Sequence, residues 1–329
     1  MTKKFYTFCE RVGNKIYVRG IKDEKRFIAK LDYSPSLFVK SHNQSEFKTL
    51  EGDNLSQVTF ESIKKYDDYK KKFSDVSNME LYGVIQPHYQ YLHENYPPVV
   101  EYDFESIRIA IIDIETTVNH GFPDWNNPIE EIMLITVTDL NTKETWTFGR
   151  KPISRVIDGV NYNSHESEEE MLQRFISHWS HNYPDVITGW NIEDFDIPYM
   201  YRRIVRVCGE TWANKLSPFN QVEEVEREFN GQQKLVVEFV GIATLDYLAL
   251  YKKFAMTPQE NYKLDTVCHV ELNENKLDFD SIQGTFRLLY GSKDVVVNPK
   301  TPVEELAPFE RWCKMKDKIN EEINRRNNA

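Results

Sequence analysis

The stretch IRIAIIDIETT, residues 107–117, limits what this chain can fold into more than any other. A nearly unbroken apolar run of this kind reads as a strand covered on both faces within a layered sheet. Yet it carries Asp113 and Glu115 before it has ended. Side chains alternate along a strand, so the two acids point to the same side. Carboxylates that close repel, and each is driven toward its neutral form unless a cation intervenes. A hard divalent ion relieves the repulsion, and oxygen ligands select Mg²⁺ or Mn²⁺. The other reading is that the strand has ended and the acids face water. The motif alone leaves both open.

Around this run, strands alternate with helices, the pattern of an α/β domain. EEIMLITVTDL and ETWTFGR follow as neighbouring strands. SEEEMLQRFISHWSHNY is an amphipathic helix with Met171, Leu172, Phe175, Ile176 and Trp179 on one face. Glutamates crowd its first turn, where the helix dipole favours them. DVITGWN is a short strand ending in a turn. IPYMYRRIVRVCG is a helix starting near Pro198 and stopping at Gly209. EVEREFNGQQKLVVEFV is a hairpin with Asn230-Gly231 at its tip, and TLDYLALYKKF returns to a helix. Upstream lies a smaller, strand-rich α+β module. FYTFCERVGNKIYVRGI forms two strands around Gly13-Asn14. RFIAKLDYSPSLFVK is a strand broken at Ser34-Pro35. TFESIKKYDDYKKKFSDV is a charged helix whose lysines read as a solvated face. Pro97-Pro98 mark a boundary. The expected domains are 1–104, 105–290 and a divergent helical tail at 291–329.

At 329 residues the chain is long enough for two domains. Its net charge of −11 argues against a general basic coat for duplex DNA, but not against a local groove. The four cysteines form no CxxC pair, which excludes a zinc ribbon or a disulfide framework and fits a reducing compartment. No run reaches the ~18 apolar residues of a membrane span, so a soluble, cytoplasmic protein is expected. His88/His93 and His178/His181 read as surface or packing residues.

A second acidic stretch is TGWNIEDFDIPYM, where Asn191 and Asp196 lie between a strand and a helix. Such turns sit at the carboxyl edge of a sheet, where α/β folds keep their sites. Asp194 is an alternative ligand, and a helix N-cap is an alternative role for Asp196. Taken jointly, DIETT, the acid-headed helix, DVITGWNIEDFDIPY, LDYLALYKKF, NYKLDTVCHVEL and the early DYSPSLFV resemble the N-terminal and proofreading-exonuclease portion of family B DNA polymerases. The wording is most similar to polymerases of T-even-type tailed phages, over roughly residues 1–290.

The resemblance implies an RNase H-like core, a mixed sheet flanked by helices, working in a host cell cytoplasm. It implies 3′→5′ removal of deoxynucleoside monophosphates with two Mg²⁺ or Mn²⁺ ions. Asp113 and Glu115 match the first motif as metal ligands, and Asp196 matches the second. Asn191 would position the scissile strand. Phe122, in GFPDW, matches an aromatic stacked on the terminal base. The hairpin would help part a primer end from its template. The family's third motif, Tyr-x-x-x-Asp, has one formal match, Tyr290 to Asp294. Val295 to Val297 favour a strand there, and Asn298-Pro299 break a helix soon after. Asp317 has no tyrosine partner. Polymerase-domain motifs are absent, so either the polymerase domain sits on a second chain or this is a truncated, inactive remnant that has lost it; the expected partners are the single-stranded end of a primer–template and, in the first case, that second chain. Trp312, Met315, Ile319 and Ile323 form an apolar stripe in the tail that could cover its own domain or such a partner. The competing expectation is a non-catalytic subunit that positions DNA and docks the polymerase.

Overall fold

The computed structural model describes residues 4–73, 76, 79–153, 159–229, 232–255 and 257–274. The tail stripe, Asp294, Asp317 and the Asn230-Gly231 tip lie outside them.

The chain begins with an antiparallel sheet of β1 (Lys4–Val12), β2 (Lys15–Lys22) and β3 (Lys25–Leu31). Gly13 takes φ 59°, a left-handed turn conformation that its missing Cβ permits. The central strand β2 is buried from Ile16 to Ile21. After Ser34-Pro35, β4 (Ser36–Lys40) joins a different sheet, with β5 (Leu55–Thr59) and β6 (Leu81–Tyr82) on either side. The expected single broken strand is therefore two strands in two sheets. Between β5 and β6 lies α1 (Ile63–Phe73), and α2 (Pro87–Asn95) follows. Asn14 Oδ1 accepts a hydrogen bond from Lys64 N at 2.6 Å, so the first hairpin's turn caps α1.

The larger sheet is built from β7 (Ile109–Thr116), β8 (Ile132–Asp139), β9 (Thr145–Gly149), β10 (Val160–Ser164), β11 (Val186–Gly189) and, later in the chain, β14 (Ala243–Asp246). Its order is β10-β9-β8-β7-β11-β14. β8 runs antiparallel to β7 and β9, while β7, β11 and β14 run parallel. Gly189 allows β11 to approach β7, because a Cβ there would stand 2.7 Å from Ile112 O. α3 (Glu168–His181) precedes β11, and α4 (Asp196–Cys208) and α5 (Glu210–Ala213) follow it. The hairpin of β12 (Val222–Phe229) and β13 (Gln232–Phe239) comes next. β14 then leads directly into α6 (Tyr247–Phe254), and α7 (Leu264–Leu272) ends the described chain. TLDYLALYKKF is thus a strand followed by a helix.

One face of the large sheet makes the core. Ala110, Ile112 and Ile114 of β7 pack with Met171, Leu172, Phe175, Ile176 and Trp179 of α3, and with Ile197, Tyr199, Met200 and Ile204 of α4. The predicted α3 stripe is the buried one. The expectation that β7 is covered on both faces is not met among the described residues. Ile111, Asp113 and Glu115 are exposed in alternation with the buried side chains. The apolar run misled because Ile111 sits on the open face; continuity of apolar residues does not report on coverage. Threonines line this face on the neighbouring strands, with Thr136 paired to Thr147 at 3.2 Å and Thr138 to Thr145 at 2.9 Å.

Asp185, just before β11, joins the large sheet to the first one. Its side chain is fully buried and accepts from Thr7 Oγ1 (2.9 Å), Arg26 NH1 (2.6 Å) and Arg108 N (2.9 Å). Arg19 lies 3.5 Å away and also donates to Pro184 O and Gly241 O.

Candidate active site

β7 delivers Asp113 and Glu115 to the carboxyl edge of the sheet, on its open face. The β7–β8 register slips between Glu115 and Thr116, an irregularity that bends the strand where the acids stand. Across from them α4 begins with Asp196, which is 6% exposed. The sequence left an N-cap role open for Asp196. Phe195 holds that position, and Asp196 Oδ1 accepts from Ile114 N of β7 at 3.1 Å. Burial, then the charge of Asp113 and more weakly that of Glu115, push the Asp196 carboxyl up to about 7. The structure therefore brings the three predicted acids into electrostatic contact.

Carboxylates gathered at one edge of the sheet suit a hard divalent cation, which would offset the repulsion that adds to burial in raising Asp196. The fit is one of chemistry. Among the described residues no three His, Cys, Asp or Glu side chains converge closely enough to hold an ion. Asp196 has to release its proton before it can take a cation. Mg²⁺ affinity, measured by isothermal calorimetry, is therefore expected to rise about tenfold per pH unit up to about 7 and level off above it. A flat profile between pH 5.5 and 8 would remove Asp196 from the ligand set.

Asn191 sits in the turn after β11 at φ 64°, a conformation that asparagine tolerates. The turn is held by Asp246, a buried residue at the end of β14. Its carboxylate accepts from Asn191 N (3.1 Å), Glu193 N (3.1 Å) and, as the N-cap of α6, Leu248 N (2.8 Å). Asp194, the alternative ligand, is exposed and pairs with Lys234 of β13 at 2.6 Å. The hairpin thus leans on the site's own turn.

Phe122 is 90% exposed on the loop between β7 and β8, its ring 6.2 Å from that of Phe195. Glu130, 2% exposed, clamps this loop. It accepts from Thr117 Oγ1, from Asn119 N at 3.0 Å and from His120 N at 2.5 Å. Burial opposes its charge, but these bonds prevail and draw it down to about 2. Arg203 and Glu168 brace the same loop from below. Arg203 donates to both Glu168 oxygens (2.8 and 2.6 Å) and to Pro128 O and Ile129 O. Glu168 also accepts from Ile132 N at 2.8 Å. Glu130→Ala would orphan two backbone donors and is expected to cost roughly 2–3 kcal/mol in urea unfolding. The folded value of Glu130 lies below its ordinary 4.5, so its contribution is present above pH 4.5 and is lost as pH falls toward about 2. The gap between wild type and variant should close over that window.

Glu130, Asp246, Asp185 and the Arg203–Glu168 pair were not singled out by the sequence. Their decisive partners are backbone groups or arginines on other elements, which no local pattern reports. The only local signal was an acid at the end of an apolar strand, as in ATLD. Of the histidines read as surface or packing residues, His93 and His181 are exposed, while His178 lies 4.4 Å, ring to ring, from Trp146, and burial lowers its pKa. No helix among the described residues is long and apolar enough to cross a membrane.

Residues 83–267 match the family described as DNA polymerase family B, exonuclease domain. The DNA-directed DNA polymerase of Escherichia phage RB69 is 31% identical over 308 residues, covering 84% of this chain and 34% of the relative. That of Enterobacteria phage T4 is 30% identical over 304 residues, with the same coverage. The DNA polymerase catalytic subunit of Human herpesvirus 7 is 27% identical over 195 residues, covering 55% of this chain and 18% of the relative. The chain spans about a third of the length of the phage relatives. A match that starts just after β6, reaches into α7 and takes in more than half of the residues decides the family: this chain belongs to the family B DNA polymerases and carries their exonuclease domain.

Proposed function

We propose that this domain is a 3′→5′ proofreading exonuclease acting on the single-stranded end of a primer. The observation that carries the reading is the placement of Asp196, buried at the head of α4 and bonded to Ile114 N, between Asp113 and Glu115 of β7. Asp113, Glu115 and Asp196 are the ligands in this reading, for two Mg²⁺ or Mn²⁺ ions. When bound, the ions lower the pKa of an attacking water and stabilise charge on the phosphate. A further carboxylate completes the set, because the described residues alone do not close around an ion. Asn191, fixed by Asp246, orients the scissile strand. Phe122 stacks on the terminal base, a contact that accepts any base and so suits an editor. The β12–β13 hairpin, paired to the turn through Lys234, keeps the template strand away. A polymerase segment, on this polypeptide or a second chain, supplies the primer end.

The test uses one oligonucleotide labelled at its 5′ end and a second labelled at its 3′ end, with Mg²⁺. A stepwise ladder from the first and immediate mononucleotide release from the second are expected, and EDTA should abolish both. No Mg²⁺-dependent shortening, with or without an added polymerase segment, would leave a DNA-positioning subunit as the better account.

A further inference from the structure

The parallel register of the large sheet lines up more than the acids. Thr188 of β11 pairs with Ile111 of β7 on one side and with Leu245 of β14 on the other. At the carboxyl edge Asp113 lies two residues beyond Ile111 in β7, Trp190 directly follows β11, and Tyr247 opens α6. Asp246, the residue before Tyr247, accepts from Asn191 N at 3.1 Å, which ties the start of α6 to the turn beside the acids. Ile111 (37% exposed) and Leu245 (44% exposed) make an open apolar floor beside it.

The rings here are arranged as a platform. Trp190 is fixed from behind: its Nε1–H donates to Tyr262 O at 3.2 Å, and its ring lies 6.0 Å from Tyr251. Tyr247 packs 6.3 Å from Trp190, yet 55% of it is open to solvent. Lys252 lies over the Tyr262 ring at 5.1 Å and Lys253 over Phe254 at 5.5 Å, so cations accompany the aromatics. Phe122 and Phe195 form a second ring pair, 6.2 Å apart, with Phe195 the residue before Asp196. Rings beside cations are the chemistry of single-strand binding, in which bases stack and the backbone meets positive charge. A duplex presents no free base faces to them.

We propose that Tyr247, backed by Trp190, is a second base-stacking subsite for single-stranded DNA, holding the nucleotide on the 5′ side of the scissile phosphate. The proposal rests on the exonuclease reading and gives that site a grip on the strand independent of Phe122. Stacking fixes the approach of the strand without reading its sequence.

The experiment measures binding of the full chain to single-stranded oligonucleotides by fluorescence anisotropy, with Ca²⁺ in place of Mg²⁺. A single abasic residue is moved inward from the 3′ end. In the wild type, two positions should lose affinity: the terminal one and one further in. Tyr247→Ala should weaken binding to the intact oligonucleotide about tenfold and abolish only the inner penalty. Tyr247→Phe should restore both, and Phe122→Ala should abolish only the terminal penalty. A wild-type profile with no inner penalty overturns the subsite without any variant, as does an inner penalty unchanged in Tyr247→Ala. Neither result touches the exonuclease reading, which stands or falls on Mg²⁺-dependent shortening.

Discussion

Asp113→Ala/Glu115→Ala is expected to lower Mg²⁺-dependent shortening of a single-stranded oligonucleotide by about a thousandfold or more. A bound metal supplies several kcal/mol of transition-state stabilisation, and each 1.36 kcal/mol is a factor of ten in rate. The loss should not come from unfolding. Both side chains are exposed at the edge of β7 and take no part in the core. Burial is the main reason that Asp196 is raised and persists in the variant, but the removal takes away the added repulsion of the two charges. The double variant should therefore melt no lower than wild type in the absence of metal, and Mg²⁺ should no longer raise its melting temperature. Rate and melting curve are measured on the same preparation. A variant that stays folded and still shortens DNA at the wild-type rate would move the chemistry elsewhere.

The second large effect concerns Asp185. Asp185→Asn keeps the shape but removes the charge that two arginines share. Arg19 and Arg26 would be left against a buried neutral amide, with the bonds from Thr7 and Arg108 weakened. Removing one partner of a buried ion pair costs roughly 3–5 kcal/mol. That is a large share of the stability of any domain. Urea unfolding should show this drop, and it should fall first on the union of the first sheet with the large one. A change within ±0.5 kcal/mol would mean that the first sheet is held by its apolar contacts and by the arginine bonds to backbone carbonyls.

How much of this was legible depended on whether the information was local. The α3 stripe was readable because burial at helical spacing repeats within one element. Asp113 and Glu115 stood out because charge interrupts an apolar strand. Asp196 was ambiguous in its own stretch, and the family resemblance singled it out. The Asp185 partners lie as far as 178 residues away, and no periodicity reports them. Likewise Glu130 works through backbone N–H groups, which every sequence contains. β10, VNYNS, is a polar edge strand too short to show alternation, and it was missed. Ser34-Pro35 was recognised as a break, but turn chemistry does not say which sheet the next strand will join.

β11 has only four residues, and it is anchored at both ends. Its amino end abuts Asp185 and so the first sheet, and its carboxyl end opens into the Asn191 turn gripped by Asp246. A hydrogen-bonded strand does not stretch, so a displacement at one end is delivered to the other almost undiminished. The N-terminal sheet is in this sense the mounting of the instrument, and its seating sets the alignment of the turn beside the acids. Substitutions in β1 to β3 that loosen Asp185 should accordingly disturb the Asn191 turn.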